Sequence, residues 1–194
     1  MAACSTTPSP SPREEGLEIK VDSNAVKVAV MDISAFDSLE YDNITRLHSQ
    51  WDCDTAFINN RADIVSMDDV RLNYYRRKGM AENWEIIETF TQEWGLYAHA
   101  ALRVKDVKGL KGKTIATSRE TADNQLLMKF VSQAKIKSNE VFFPQINDLG
   151  LRLQMLNAAQ VDAVMLPEPY ASQAEKKHHV CLKKEKIKVY LLKK

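Results

Sequence analysis

The chain has 194 residues, 44% hydrophobic and 27% charged, which is enough apolar material for one large domain or two small lobes. Its 27 basic and 26 acidic residues leave a net charge of +1, and this argues against a nucleic-acid binder because a phosphate partner requires a basic excess. No apolar run approaches the roughly 18–20 residues that span a bilayer. Three cysteines without a CxxC spacing argue against a disulfide framework and a structural zinc site.

Residues 1–20 form a region of their own. Ser, Thr and Pro dominate from Ser5 to Pro12, a composition typical of an extended tether. The triplet Ala2-Ala3-Cys4 resembles the end of a bacterial lipoprotein signal, although no charged or apolar signal region precedes it. The favoured interpretation is therefore lipidation at Cys4 after removal of a signal, ahead of a misassigned start or an accidental cysteine.

The first half of the chain predicts alternating strands and helices. Acidic Asp68 and Asp69 at the positive end and three basic residues at the negative end indicate a helix over 68–78. A short helix over 53–59 is predicted with Asp52 as its N-cap. Short apolar runs predict strands over 27–31, 62–66, 84–90 and 97–103.

The second half predicts a β-α-β-α-β series. Strands are expected at 113–117, 140–143 and 162–166. A helix over 123–134 lies between the first two, and a second helix follows, capped by Asn147 or Asp148, with an apolar stripe of Ile146, Leu149, Leu153 and Leu156. Short links between such elements favour an α/β fold with a parallel sheet and right-handed crossovers.

Three stretches resemble type II periplasmic solute-binding proteins. The segment at 109–116 (GLKGKTIA) resembles the start of their second lobe, 153–169 (LQMLNAAQVDAVMLPEP) the return from it, and 54–66 (DTAFINNRADIVS) a helix-strand unit of the first lobe. The subfamily indicated is that of thiamine-precursor, sulfonate and nitrate-binding proteins. Segments 51–56 and 145–148 further resemble a lipoprotein branch of it found in Bacteroides-like bacteria.

The resemblance implies a two-lobed α/β fold of the periplasmic-binding-protein type II class with parallel βαβ units. Lobe 1 would cover residues 21–95 and lobe 2 residues 96–166, and residues 167–194 would cross back to lobe 1. It also implies a non-enzymatic solute-binding protein of an ABC importer, which captures a small planar or anionic solute and meets an ABC permease. Its expected location is the periplasmic or cell-surface side, with membrane contact through the lipid anchor alone.

The carboxyl ends of the predicted strands supply the candidate ligand-binding residues. Ser118, Arg119 and Thr121 open a helix, where backbone N–H groups and a guanidinium suit an anion. A simple cap and a solvated arginine explain these residues equally well. Trp94 lies at the expected lobe junction and suits either stacking on a planar ligand or packing at the hinge.

The remaining candidates are acidic residues and a serine at other strand or helix ends. Ser66 and Asp68 follow a predicted strand. Asp52 and Asp54 stand at a helix start, where capping is favoured over ligand contact. Glu168 lies between two prolines, where it suits a cationic ligand or shapes the hinge.

No motif indicates catalysis, a cofactor or a metal. The four histidines are isolated or adjacent, and no GxSxG, Walker loop, HExxH or GxGxxG occurs. We therefore expect no enzyme, no cofactor and no nucleic-acid partner. Two alternatives stay open: an enzyme on the same fold related to thiamine-pyrimidine biosynthesis, whose cysteine-rich signature is absent, and a ligand-sensing regulatory domain, which would need a helix-turn-helix segment.

The last twenty residues are rich in lysine. Residues 175–194 contain eight lysines, and Ile187, Val189 and Leu191 alternate with them as in a strand with one apolar face. The family continues beyond this point, so we expect a truncated member with an incompletely covered first lobe and a lysine-rich tail. A membrane-surface or nucleic-acid tail is the alternative interpretation of the same charges.

Overall fold

The computed structural model describes residues 26–194, so the tether and Cys4 lie outside the described residues. The strands are β1 Val28–Met31, β2 Ile44–Leu47, β3 Ile64–Asp68, β4 Glu85–Ala98, β5 Ile115–Ala116, β6 Ala163–Pro167 and β7 Val180–Lys193. The helices are α1 Gln50–Ile58, α2 Asp69–Arg77, α3 Ala122–Gln133, α4 Leu149–Asn157 and α5 Tyr170–Lys176.

The strands form one seven-stranded sheet in the order β2-β1-β3-β7-β4-β6-β5. β1 pairs in parallel with β2 and β3, and β5 pairs in parallel with β6, so parallel βαβ units lie at both sides of the sheet. We call β1–β3 with α1 and α2 the first unit, and β5–β6 with α3, α4 and α5 the second unit. β4 and β7 join the two units as an antiparallel ribbon.

The sheet is mixed rather than wholly parallel, because β4 and β7 pair antiparallel with each other and with a strand of each unit. The amino-terminal part of β4 pairs only with β7, whereas Trp94–Ala98 also pairs with β6. On the other side, β7 pairs with β3 through Val189–Lys193. The predicted boundary between residues 95 and 96 falls inside β4, where the strand continues without a break.

Local signals place most of the helices where the sequence predicts them. Asp68 caps α2 by accepting the Arg71 N–H at 2.9 Å, and Asp148 caps α4 by accepting the Leu151 N–H at 2.7 Å. The cap predicted for α1 is wrong, because Ser49 Oγ accepts the Asp52 N–H and the helix starts at residue 50.

Three predicted strands differ from the structure. The segments 84–90 and 97–103 are expected as separate strands, yet β4 is one 14-residue strand, and a 3₁₀ turn follows it at Ala100–Leu102. The segment 140–143 forms one isolated bridge, between Phe142 and Thr114, instead of a named strand, and a second bridge between Gln145 and Thr117 follows it. Pro144 follows the segment directly, and proline has no N–H to extend a ladder.

The lysine-rich segment is a strand and not a free tail. β7 covers most of residues 175–194 and lies inside the sheet, hydrogen-bonded to β3 on one side and β4 on the other. Val189, Leu191 and Leu192 are buried there, while the lysines between residues 183 and 188 lie at its more exposed middle. The predicted alternation of Ile187, Val189 and Leu191 is confirmed as part of this strand.

Candidate functional site

The two units meet where their parallel strands end. The Ser34 N–H, just after β1, donates to the Glu168 carbonyl oxygen, just after β6, at 3.0 Å. Tyr170 at the start of α5 donates its hydroxyl to Asp32 Oδ2 at 3.1 Å. We call this meeting surface the cleft and define it by the chain just after each strand end, namely residues 32–34, Asp68, residues 118–122 and residues 168–170.

An aspartate of the first unit reaches the start of a helix in the second. Asp68 Oδ2 accepts the Ala122 N–H at 3.0 Å, at the amino terminus of α3, while its Oδ1 caps α2. The side chain is 5% exposed. Burial raises the pKa of Asp68 to about 7, although its two backbone hydrogen bonds oppose this shift. A carboxylate of the chain itself therefore occupies the helix end where the sequence predicts an anion site.

A buried arginine of the first unit is held by a carboxylate and a phenol. Arg71 Nε donates to Asp54 Oδ2 at 2.6 Å, and its Nη2 donates to the Tyr75 hydroxyl at 2.7 Å. Its guanidinium lies 4.3 Å from the ring centroid of Trp51. The remaining Nη1 reaches Glu120 of the second unit at 3.5 Å. Arg71 thus links the two units through its one loosely held nitrogen.

A second buried arginine, Arg152 of α4, organises the second unit. Its Nη1 donates to Asp123 Oδ2 at 2.8 Å and to the Met165 carbonyl at 3.0 Å, and its Nε donates to the Ile146 carbonyl at 2.6 Å. Its Nη2 donates to Ser118 Oγ. Arg152 is 1% exposed, so this network is fully enclosed.

The predicted anion site at residues 118–121 is largely part of that network. Ser118 bonds Arg152, and Thr121 donates to the Ser118 carbonyl and to Asp123, so neither hydroxyl caps α3. Arg119 is exposed and makes no hydrogen bond or ion pair with the described residues 26–194. Ser118 is expected from the sequence to bind a ligand anion together with Arg119 and Thr121. In the structure it binds the guanidinium of Arg152 instead.

The floor of the cleft is the β4 part of the ribbon. Gln92 Oε1 accepts the Ala35 N–H at 3.0 Å, which places its side chain toward the loop after β1. Trp94, two residues on, shares that face of the strand and is 4% exposed. Its indole N–H is buried and meets no hydrogen-bond acceptor among the described residues. The indole N–H of Trp51 in α1 is also buried and unpaired, and Trp94 differs from it by lying on the strand that forms the cleft floor.

An acidic group with a histidine lines the cleft beside α4 and α5. His48 Nδ1 lies 2.6 Å from the Tyr170 hydroxyl and 3.7 Å from Asp32 Oδ2. Asp148 is close enough to act on Tyr170, whose pKa is raised by burial and by the charges of Asp32 and Asp148. A pocket of about 420 Å³ opens here, lined by His48, Asp148, Gly150, Leu151 and Gln154.

The other predicted site residues divide between these networks and separate locations. Asp54 belongs to the Arg71 network, and Ser66 donates to Cys53 Sγ and accepts the Met31 N–H. Asp52 lines a groove of about 370 Å³ between α1 and the start of β1, which is not part of the cleft. Glu168 accepts the Ser172 N–H at 3.0 Å and lies in the cleft.

Sequence reasoning missed the residues that carry the tightest contacts. They are Arg71, Arg152, Asp32, His48 and Tyr170. Both arginines lie within the apolar stripes of α2 and α4. This position is the signal in the sequence from which their burial could have been predicted. Asp32, His48 and Tyr170 are brought together across 138 residues of chain, which no local pattern reports.

Two kinds of feature are absent from residues 26–194. No group of three or more His, Cys, Asp or Glu side chains is placed to hold a metal ion. None of the helices is both long and apolar enough to cross a membrane.

Comparison with solved structures identifies the fold. The periplasmic aliphatic sulphonate binding protein SsuA of Escherichia coli matches with a TM-score of 0.65 at 15% identity, over 87% of this chain and 64% of its own. The alkanesulfonate-binding protein SsuA of Xanthomonas axonopodis pv. citri, bound to MOPS, matches with 0.67 at 12%, over 85% and 64%. PhnD1 of Prochlorococcus marinus, in complex with methylphosphonate, matches with 0.64 at 12%, over 87% and 75%.

The chain therefore has the periplasmic-binding-protein type II fold, shared with solute-binding proteins of ABC transporters. It spans a little under two thirds of the length of the two sulfonate-binding proteins. A scan against protein-family models finds no match, and a search among curated proteins finds none either. The fold class predicted from the sequence is confirmed, while the likeness to any one branch of the family stays a prediction.

Proposed function

We propose that this chain is a solute-binding component of an ABC importer, which holds a small molecule in the cleft between its two units. The observation that carries the proposal is the pairing of strand-end groups across the cleft. Asp68 meets the start of α3, and Ser34 meets Glu168, so each unit presents hydrogen-bonding groups to the other where ligands bind in open α/β sheets.

The contacts across the cleft suit reversible opening. Asp68, Ser34 and Asp32 meet the second unit through hydrogen bonds, and polar contacts of this kind exchange readily for water when the units separate. The β4–β7 ribbon is the continuous connection around which the units would rotate, as in hinge closure around a ligand. The importer's permease and the lipid anchor at Cys4 belong to the proposal as its predicted partner and attachment.

This function is tested by measuring whether a solute binds and whether the two units then close. The full chain is screened by thermal shift against small cationic, anionic and neutral solutes, and each hit is titrated by calorimetry to give a stoichiometry. Small-angle scattering with and without the hit reports the distance between the units. We expect one site per chain and a smaller radius of gyration in the bound form.

A variant distinguishes the cleft from other surfaces. Trp94→Phe keeps an aromatic ring but removes the indole N–H on the cleft floor, and we expect weaker binding together with some loss of fold stability from the cavity left in the core. Asp52→Asn, in the separate groove by α1, is the matched control and should bind normally. Equal affinity in Trp94→Phe, or no binding by any class of solute, would contradict the proposal.

A further inference from the structure

The charges around the cleft indicate which ligands it takes. We propose that the cleft binds a small organic cation that also carries a hydrogen-bond acceptor, in preference to a free oxyanion. This inference deepens the proposed function and rests on it.

The buried positive groups at the cleft are already occupied, and the exposed Arg119 is the one cation of its defining segments without a partner among residues 26–194. Arg71 and Arg152 are each paired with a buried carboxylate, at 2.6 Å and 2.8 Å, and most of their other N–H groups are bonded as well. The Ala122 N–H at the start of α3 is taken by Asp68. An entering oxyanion would have to displace a carboxylate of the chain at each of these points, leaving that carboxylate buried and unpaired.

Several carboxylates at the cleft, by contrast, have no lysine or arginine partner. Within residues 26–194, Asp32, Asp148 and Glu168 form no ion pair with a lysine or an arginine, and the one basic group beside Asp32 is His48. The Asp32 side chain is 31% exposed, so it is accessible from the cleft. A cation placed among these groups would gain charge-assisted hydrogen bonds without displacing any existing pair.

The unpaired indole of Trp94 is an independent sign of a ligand. It is 4% exposed, its N–H has no partner among the described residues, and it lies on the face of β4 that Gln92 turns toward the loop after β1. This donor calls for an oxygen or nitrogen acceptor on the ligand.

A pair of probes with opposite charge tests the proposal. Choline and isethionate both carry a hydroxyethyl group, joined to a trimethylammonium in the first and to a sulfonate in the second. 3,3-Dimethylbutan-1-ol has the shape of choline without its charge. In calorimetric titrations of the full chain we expect choline to bind at least tenfold more tightly than either of the other two compounds.

Variants assign the effect to the cleft carboxylates. The double variant Asp32→Asn with Glu168→Gln keeps hydrogen-bond acceptors but removes two charges, and we expect at least a tenfold loss of choline affinity. Glu140→Gln, which removes a half-buried carboxylate paired with Lys111 at 2.8 Å on the second unit, is the matched control. Trp94→Phe should weaken choline and 3,3-dimethylbutan-1-ol alike, because both offer the same hydroxyl.

The possible failures are distinguishable. If isethionate binds as tightly as choline or more tightly, the proposed cation preference is overturned while the solute-binding function stands. If choline binds and the double variant binds it equally well, the assignment to these carboxylates is overturned. If no compound of either charge binds, even in the wider screen for solutes, the solute-binding function fails together with this inference.

Discussion

Arg71 of the first unit and Arg152 of the second are both buried and both paired with a carboxylate, yet they are held differently. Every partner of Arg152 belongs to the second unit, and two of them are backbone carbonyls. Arg71 also has partners in its own unit, but its Nη1 reaches Glu120 across the cleft. The Arg152 network makes the second unit rigid, whereas the Arg71 network connects the first unit to the second. Burial of a charge is thus not a sign of a single role.

The largest effect on the free energy of unfolding is expected when either guanidinium is removed. Arg152→Met leaves Asp123 buried without its partner, and we expect a loss of about 3–5 kcal/mol in the free energy of unfolding, measured by urea denaturation. Arg71→Met should cost a similar amount because Asp54 is equally buried. Only Arg71→Met should also increase the radius of gyration of the ligand-free chain, because only Arg71 contacts the opposite unit, at Glu120. An increase of equal size in Arg152→Met would remove the distinction between the two arginines.

Neutralising the acid partner provides the control for this experiment. The double variant Arg152→Met with Asp123→Asn removes the unpaired charge, and part of the lost stability should return. A double variant no more stable than Arg152→Met alone would mean that packing and lost hydrogen bonds, rather than the stranded carboxylate, dominate the cost.

The next largest effect is a dependence on pH. The pKa of Asp68 is about 7 in the folded chain against 3.8 for the free side chain, so between these values the folded chain holds a proton that the unfolded chain releases. Stability from this group is therefore full below about pH 4 and falls as the pH rises toward 7, by at most about 1.4 kcal/mol per pH unit.

Asp68→Asn isolates this contribution. Asparagine cannot titrate, and its single carbonyl oxygen can replace only one of the two oxygens that accept the Arg71 and Ala122 N–H groups. The lost hydrogen bond adds a constant offset in stability, and the dependence of the difference on pH carries the result. The difference in unfolding free energy between the parent chain and the variant, followed from pH 4 to pH 7.5, should show the falling slope. A constant difference over that range would show that Asp68 ionises normally in the fold.

A smaller effect is expected at Glu120. Its side chain is 58% exposed and lies 3.5 Å from Arg71, so Glu120→Gln should change the unfolding free energy by only about 0–1 kcal/mol. If this contact helps to hold the units together, the radius of gyration without ligand should increase in scattering experiments. An unchanged radius would show that the Glu120 contact does not affect the mean separation of the units.

The smallest effect is expected at Arg119, the cation in the predicted anion site. Because Arg119 is exposed and has no partner among the described residues, Arg119→Ala should change stability by less than about 0.5 kcal/mol. We also expect it to leave solute affinity within twofold. A tenfold loss of affinity for isethionate would restore the anion interpretation of this loop.

The sequence predicts elements that depend on local signals and misses those that depend on distant pairing. α2 begins at the acidic pair predicted to start it, with Asp68 as its cap, and α4 begins after Asp148, one of its two predicted caps. Both starts depend on side chains within one turn of the helix. β4 is interrupted in the prediction by its polar centre at residues 91–93. It is continuous in the structure because β7, about ninety residues later, pairs with its whole length.

The same distinction applies to the site. The predicted strand ends do meet at the cleft, since this follows from parallel topology alone. The identity of the interacting groups does not follow from it. Arg152 lies three residues after Leu149 in the apolar stripe of α4, and such an arginine is buried only if a carboxylate from another element reaches it. That partner, Asp123, is 29 residues away, so only the folded chain reveals the pair.

The central position of β7 has a consequence for how the chain folds. β7 follows the other six strands in the chain, yet it lies between β3 and β4 in the sheet. During synthesis the β1–β3 ladder would therefore keep an open edge until β7 has emerged. Pairings between residues so far apart slow folding and expose strand edges to other chains. We therefore expect this chain to need chaperones for its production more than an α/β chain does whose last strand lies at the sheet edge.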